Sequence, residues 1–341
     1  MSYTCVLIPG DGIGPEVAHA AQRVVDASGA GLEWVVRPAG ATALEQGHDS
    51  VLPEVTVESI RDHGIALKGP CTTPIGEGYA SVNVTLRKKL DLYGAVRPVR
   101  SLDGVRTRFE DVDVVVVREN TEGLYSGIEN EITKGVVTSL KVATERACSR
   151  IAEFAFQFAR ERNRKKITVF HKANIMKLSD GMFINASRAV HEAYPDIKYD
   201  ERIIDAGCMR LVQAPEDFDI ILCENLYGDV LSDLCAGLVG GLGVTPGANH
   251  GINQSVFEAV HGSAPDIAGQ GIANPLALIM SSVMMLNHLH RRHGDNDCGA
   301  CAKRIREAYD RCLLEGATTQ DLGGDLSTEG FADAVISRLA D

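Results

Sequence analysis

The 341-residue sequence is poor in aromatic residues, 5% with a single tryptophan, and has no apolar run long enough to cross a bilayer. Its most apolar late stretch, Leu276 to Leu286, is interrupted by Ser281-Ser282 and falls well short of the roughly 20 residues a spanning helix needs. Basic residues are also in deficit, 34 Lys and Arg against 46 Asp and Glu, for a net charge of −12. A field of that sign repels phosphate backbones and anionic lipid heads, so neither nucleic acid nor a membrane surface is an expected partner. A small anionic substrate would need a local nest of arginines. The opening residues, Met1 to Gly10, carry no basic leader, apolar h-region or small-residue cleavage site. The expectation is therefore a cytoplasmic protein. Nine cysteines, an odd number in a chain this long, suit reduced thiols better than a disulfide framework.

What remains is an ordinary globular composition, 45% hydrophobic and 23% charged, in a chain long enough for two domains. Cys5 to Ile8 form a short apolar run stopped by Pro9-Gly10-Asp11-Gly12, with Pro15 placed to open a helix. Val114 to Val117, Ile167 to Phe170 and Ile220 to Leu222 are similar β-rich runs and read as buried strands. Between them Ile151, Phe154, Ala155 and Phe158 recur at helical spacing, ahead of the basic run Arg160 to Lys166. Strands alternating with helices, without repeat or low-complexity linker, predict an α/β fold.

Several motifs bear on chemistry. Gly10-Asp11-Gly12-Ile13-Gly14 approaches a dinucleotide fingerprint, but its spacing is G-x-G-x-G and no suitably placed acidic residue follows a second strand; a plain tight turn reads equally well. In Asn225-Leu226-Tyr227-Gly228-Asp229-Val230-Leu231-Ser232-Asp233 the two aspartates are four apart, so on a helix they share a face. That pair is either a solvated acidic surface or a set of hard oxygen ligands for Mg²⁺ or Mn²⁺. Ser81, Asn83 and Arg87, then Arg97 and Arg118, supply a hydroxyl, an amide and three guanidinium forks that match carboxylates, unless the arginines are merely scattered over the surface. His288, His290, His293, Cys298 and Cys301 have zinc-ligand types, and the C-x-x-C is also a redox spacing; a polar helix end with two thiols is the plainer reading.

Together with Lys68-Gly69-Pro70, Arg118-Glu119-Asn120-Thr121-Glu122-Gly123, His171-Lys172-Ala173-Asn174-Ile175-Met176 and Asp321-Leu322-Gly323-Gly324, these segments resemble the isocitrate and isopropylmalate dehydrogenases, the β-decarboxylating dehydrogenases, from Gly10 to Asp325. The nearest likeness is to NAD-dependent isocitrate dehydrogenases. The resemblance implies a fold that is not a Rossmann fold, with two α/β domains and a cleft between them: residues 1–96 and 243–341 as the large, NAD-holding domain, and residues 97–242 as a small domain with the dimer interface and metal-binding carboxylates. It implies that Ser81, Asn83, Arg87, Arg97 and Arg118 bind substrate, that Tyr125 and Lys172 are catalytic, and that Asp205, Asp229 and Asp233 bind Mg²⁺ or Mn²⁺. Lys172 and Asp205 would enter from the neighbouring protomer of a homodimer. Thr73, His261, Gly262, Ala264, Pro265, Asp266, Ile267 and Asn274 are the implied NAD contacts. A carboxylate at Asp266 can accept from ribose hydroxyls and repels a 2′-phosphate. Ser81 and Asn83 look like the isocitrate pattern, since a third carboxylate needs donors rather than the apolar wall of the isopropylmalate enzymes. The implied reaction is oxidative decarboxylation of isocitrate to 2-oxoglutarate. Homoisocitrate or isopropylmalate dehydrogenase is the alternative within the class, and a non-catalytic regulatory subunit is the alternative outside it.

Overall fold

The computed structural model describes residues 2–74 and 78–339. Its chain groups into two compact units: Met1–Leu90, Ser101–Arg108 and Val239–Asp341 form the first, and Asp91–Arg100 with Phe109–Leu238 form the second. Along the chain the first unit supplies β1 (Tyr3–Ile8), α1 (Gly14–Ala27), β2 (Leu32–Val36), α2 (Ala41–Glu45), α3 (Glu54–His63), β3 (Ile65–Lys68) and α4 (Val82–Lys89). The second supplies β4 (Gly94–Arg100), β5 (Asp113–Glu119), β6 (Gly123–Thr133), β7 (Val136–Val142), α5 (Glu145–Glu161), β8 (Lys166–His171), α6 (Ser179–His191), β9 (Lys198–Ile203), α7 (Ile204–Gln213), β10 (Ile220–Cys223) and α8 (Asn225–Leu238). The chain then returns to the first unit with β11 (Pro246–His250), β12 (Ser255–Ala259), α9 (Leu276–His293), α10 (Asn296–Leu314) and α11 (Thr328–Ser337).

In the first unit the strands run β2-β1-β3-β12-β11, all parallel except the antiparallel β12–β11 pair. The carboxyl ends of β1, β3 and β12 open into the glycine turn, Lys68-Gly69-Pro70 and the loop from His261. Ligands gather at such ends in α/β sheets. The second unit runs β4-β5-β10-β8-β9, with β4–β5 antiparallel and the rest parallel, plus a separate β6–β7 hairpin. Residues 91–96 belong to this unit because Gly94 to Arg100 pair in register with Glu119 to Asp113, whereas Gly104 packs against the backbone of Leu313 and draws residues 101–108 into the first.

The expected strands appear as β1, β5, β8 and β10, buried through their apolar runs. Thr144 caps α5 by accepting from the Ala147 N–H at 3.2 Å, and Ile151, Ala155 and Phe158 face inward as the spacing predicts. Phe154 is only half-buried and meets Tyr93 edge-on at 5.9 Å, while Phe156 takes the fully buried place. Burying a side chain such as Phe156 or Ile151 contributes about 1.5–3 kcal/mol. The helix ends within the basic run Arg160 to Lys166: α5 stops at Glu161, and Lys166 already belongs to β8. Among the described residues no helix is long and apolar enough to cross a membrane.

Candidate active site

The antiparallel register sets Ala95 opposite Arg118, so Arg97, two residues further along β4, projects from the same sheet face as Arg118 on β5. Both arginines are buried, 3% and 2% exposed. Arg118 is held by Asn225, whose Oδ1 accepts from Nε at 3.1 Å and from Nη2 at 2.7 Å, and its Nη1 donates to Asp229 Oδ1. The Tyr125 hydroxyl donates to the other oxygen, Asp229 Oδ2, and the Arg118 guanidinium lies 5.0 Å from the centre of the Tyr125 ring. Burial, then the Asp229 carboxylate, pushes the Tyr125 phenol up, so it stays protonated at neutral pH. Asp233 is on α8 one turn beyond Asp229, and burial followed by the Asp229 charge raises its pKa despite Arg97 and Arg118. Five expected site residues, Arg97, Arg118, Tyr125, Asp229 and Asp233, thus share one electrostatic neighbourhood.

Lys172 and Asp205 form a separate pair. Lys172 follows β8, Asp205 sits in the first turn of α7, and Nζ meets Oδ1 at 2.5 Å. The hydrogen bond from Lys172 lowers the Asp205 pKa. Among the described residues no three His, Cys, Asp or Glu side chains converge closely enough to hold a metal, so Asp205 does not complete the Asp229–Asp233 set within one chain.

In the first unit Ser81 is the N-cap of α4. Its hydroxyl oxygen accepts from Val84 N–H at 3.4 Å and from the Thr73 hydroxyl at 3.3 Å, leaving its own proton to donate. Asn83 Oδ1 and Arg87 Nε are buried without a hydrogen-bond partner among the described residues. Arg87 is anchored from behind: Nη2 donates to Glu258 Oε1 at 3.1 Å, Asn249 Nδ2 donates to the same oxygen at 2.7 Å, and Lys68 Nζ donates to Oε2 at 2.8 Å. Glu258 and Lys68 are 4% and 1% exposed. Breaking such a buried pair from one side costs about 3–5 kcal/mol. Sequence reasoning missed this support, although a lone acid inside the apolar run Val256-Phe257-Glu258-Ala259-Val260 signals a buried charge that needs cations.

In the glycine turn the N–H groups of Asp11, Ile13 and Gly14 are spent on protein carbonyls. Asp11 N–H donates to Pro70 O at 2.8 Å and Ile13 N–H to Ser263 O at 2.9 Å, and a Cβ on Gly12 would stand 2.0 Å from Ser263 O. The turn stitches three loops into one rim, helped by Asp11, whose carboxylate accepts from Thr42 N–H at 2.9 Å and Thr72 N–H at 2.8 Å. On this rim His261 Nε2 is buried without a partner among the described residues, and burial pushes the imidazole towards its neutral form. Ala264 adopts a positive φ of 38°, Ile267 donates its N–H back to Ala264 O at 3.2 Å, and Gly262, Pro265 and Asp266 are exposed. Asn274 is already engaged, donating to Asp321 Oδ2 at 2.9 Å and accepting from Leu276 N–H at 2.9 Å.

The family model for isocitrate/isopropylmalate dehydrogenase matches residues 4–335. The chain belongs to the isocitrate/isopropylmalate dehydrogenase family. It is 48% identical over 341 residues to the human mitochondrial protein named as the alpha subunit of isocitrate dehydrogenase (NAD), covering 99% of this chain and 91% of that one. It is 50% identical over 337 residues to a mitochondrial protein of Dictyostelium discoideum named as a regulatory subunit of isocitrate dehydrogenase (NAD), covering 98% of this chain and 91% of that one. The crystal structure of isocitrate dehydrogenase from Methylococcus capsulatus matches it with a TM-score of 0.94 at 47% identity, covering 99% of this chain and all 100% of that one. The fold is therefore the isocitrate/isopropylmalate dehydrogenase fold.

The histidine- and cysteine-rich segment brings no three possible metal ligands together among the described residues. His290 Nδ1 is 2.9 Å from Asp295 O beyond the end of α9, and Cys298 and Cys301 are buried in α10, with Cys301 Sγ donating to Ser28 O at 3.3 Å. His288 and His293 line a cavity of about 310 Å³ with His63, Arg292 and Asp62, at the amino ends of β1 and β3 and so opposite the rim. The carboxyl ends of α3 and α9 lie there, where basic side chains balance the helix dipoles. All nine cysteines are free thiols.

Proposed function

We propose that the chain oxidises isocitrate with NAD and a divalent metal ion, releasing CO₂ and 2-oxoglutarate. The observation that carries this is the buried Arg97–Arg118 pair beside Tyr125 and the Asp229–Asp233 carboxylates, which sets guanidinium donors for carboxylates next to oxygen ligands for a cation. The human relative bears the name of an NAD isocitrate dehydrogenase subunit. The donor sets suit both groups: Asp229 and Asp233 offer two hard oxygen ligands whose mutual repulsion a cation relieves, and the rim offers an exposed Asp266 and an unpartnered His261 Nε2. When bound, Mg²⁺ or Mn²⁺ polarises the C2 oxygen of the substrate and NAD supplies the hydride acceptor.

The chain's own residues do the rest. Arg97 and Arg118 bind substrate carboxylates, and Asn225 keeps the Arg118 fork from turning. Ser81, Asn83 and Arg87 read the further carboxylate that separates isocitrate from isopropylmalate, Ser81 with its remaining proton and Arg87 from the Glu258 anchor. Tyr125, protonated at neutral pH, delivers its proton to C3 once CO₂ has left. Lys172 relays the C2 hydroxyl proton, passing one of its own protons to the hydrogen-bonded Asp205 carboxylate as it takes the substrate's. Thr73, Gly262, Ala264, Pro265, Ile267 and Asn274 complete the NAD contacts, with Asn274 acting as a strut between Asp321 and the start of α9.

Lys172 and Asp205 act in the site of a second copy, which makes the active species a homodimer. Supporting this, the second unit exposes Ile132, Val137, Ile175, Leu178, Met209 and Val230, with Leu178 89% exposed, and no third metal-binding carboxylate reaches Asp229 and Asp233 within the chain among the described residues. The free thiols suit the reducing cytoplasm. The Dictyostelium relative is named as regulatory, so the second reading is a chain that binds without turnover. Rates of NADH formation by the purified single chain on isocitrate, homoisocitrate and isopropylmalate, with and without EDTA, decide between them: isocitrate turnover abolished by EDTA is expected, and an inactive folded chain would establish the regulatory reading.

A further inference from the structure

Lys141, on β7, is the hinge of an ion cluster that takes no direct part in the proposed reaction. Its Nζ donates to Asp180 Oδ1 at 2.6 Å, lies 3.7 Å from Glu224 Oε1 and stands 4.7 Å from the centre of the Tyr227 ring. Asp180, in the first turn of α6, is 2% exposed. Its second oxygen, Oδ2, accepts the backbone N–H of Lys172 at 2.7 Å. The Lys172 carbonyl in turn accepts from Ile175 and Met176, each at 2.9 Å, so one carboxylate oxygen fixes the amino side of a tight turn whose carbonyl side is already bonded. Glu224 plays the matching part for α8, accepting from Leu226 N–H at 3.3 Å and Tyr227 N–H at 3.1 Å immediately before the helix that carries Asn225, Asp229 and Asp233.

One ammonium therefore joins the carboxylate that sets the Lys172 backbone to the carboxylate that caps the helix of the metal-binding pair. A side chain as long as lysine keeps its head in place only if the backbone beneath it is fixed, and Lys172 Nζ is partly exposed beside the exposed Asp205. We propose that Asp180 is a positioning residue for Lys172, and that Lys141 is the strut holding Asp180 against the start of α8. The proposal rests on Lys172 being catalytic and goes beyond it by naming what aims it.

Asp180→Asn is the first test. A carboxylate has two acceptor oxygens and an amide one, so the variant must release either Lys141 or the Lys172 N–H. The expected result is a kcat lowered about tenfold or more, with KM for isocitrate within about twofold, because groups that bind carboxylates are untouched. In a Lys172→Ala background the same change should cause no further loss, since it acts through the missing side chain. Should Asp180→Asn fail to fold, Lys141→Met with Asp180→Leu removes both charges together and replaces them with apolar groups of similar size. That double variant also takes the cation from beside Glu224, so it should melt below the wild type while still folding, and still show the low kcat; wild-type kcat in it would make the cluster purely structural and overturn the proposal. Multiplying losses of Asp180→Asn and Lys172→Ala would overturn it too. Wild-type turnover by Lys172→Ala would instead remove the reading on which it rests, and the proposal with it.

Discussion

Gly228 of α8 stands where a Cβ would lie 2.5 Å from Cγ of Arg118. The glycine inside this helix is thus explained by the arginine stem laid across it, while Asn225 and Asp229, on the same helix, hold the guanidinium end. Gly228→Ala should push the stem off the helix and misplace the fork. Overpacking of this kind costs about 1–3 kcal/mol of stability, and a shift of about 1 Å in a positioning group lowers catalysis about a hundredfold. kcat/KM for isocitrate is the measurement, and a value near wild type would mean that Arg118 does not touch substrate.

Ser81 offers a cleaner electrostatic test because its two roles separate. As an N-cap, Asp serves as well as Ser, so Ser81→Asp should leave α4 and the melting temperature intact. As a substrate donor it fails, since the new carboxylate confronts a substrate carboxylate. Like charges at about 4 Å in a partly desolvated site repel by about 4 kcal/mol, a loss on the order of a thousandfold in kcat/KM. Near-normal activity in a folded variant would place Ser81 away from the substrate.

Asp233 carries a pH signature. Its folded pKa is raised, by burial and then by Asp229, so its ionised form costs stability above that pKa and the cost fades as pH falls through it. Without metal at neutral pH, Asp233→Asn should raise the melting temperature by about 1–2 °C, a gain kept small by solvent screening. With Mn²⁺ at about a hundred times its dissociation constant the wild type should gain about 2.7 kcal/mol, and the variant far less. Equal Mn²⁺ stabilisation of both would remove Asp233 from the metal site.

Much of this was readable in the sequence where neighbours in space are neighbours along the chain. The buried strands β1, β5, β8 and β10 follow from continuous apolar runs, and the Asp229–Asp233 face follows from helical spacing. The supports were not readable, because they are long-range: Glu258 reaches Arg87 across 171 residues and Lys68 across 190. The G-x-G-x-G turn shows the same limit, since the contacts that require Gly10 and Gly12 come from Pro70 and Ser263. The β6–β7 hairpin escaped because its strands are exposed over most of their length and lack a clean apolar alternation.

Among the described residues Asp205 stays apart from the Asp229–Asp233 pair proposed to bind the metal, and Lys172 stays with Asp205. If each site takes Lys172 and Asp205 from one copy and Arg97, Tyr125, Asp229 and Asp233 from the other, Lys172→Ala and Tyr125→Phe homodimers should both be nearly inactive, because every site in each lacks one catalytic group. Mixing the two under protomer exchange should restore activity. A mixed dimer then has one site with both wild-type residues and one with neither. With equal amounts and random pairing about half the dimers are mixed, so recovery should approach about a quarter of the wild-type rate if the sites act independently. The check is the rate after exchange, with mixing established by mass spectrometry of differently tagged chains. Exchange without recovery would assign both residues to a single chain's site, and the metal would then need its third ligand from substrate or water alone.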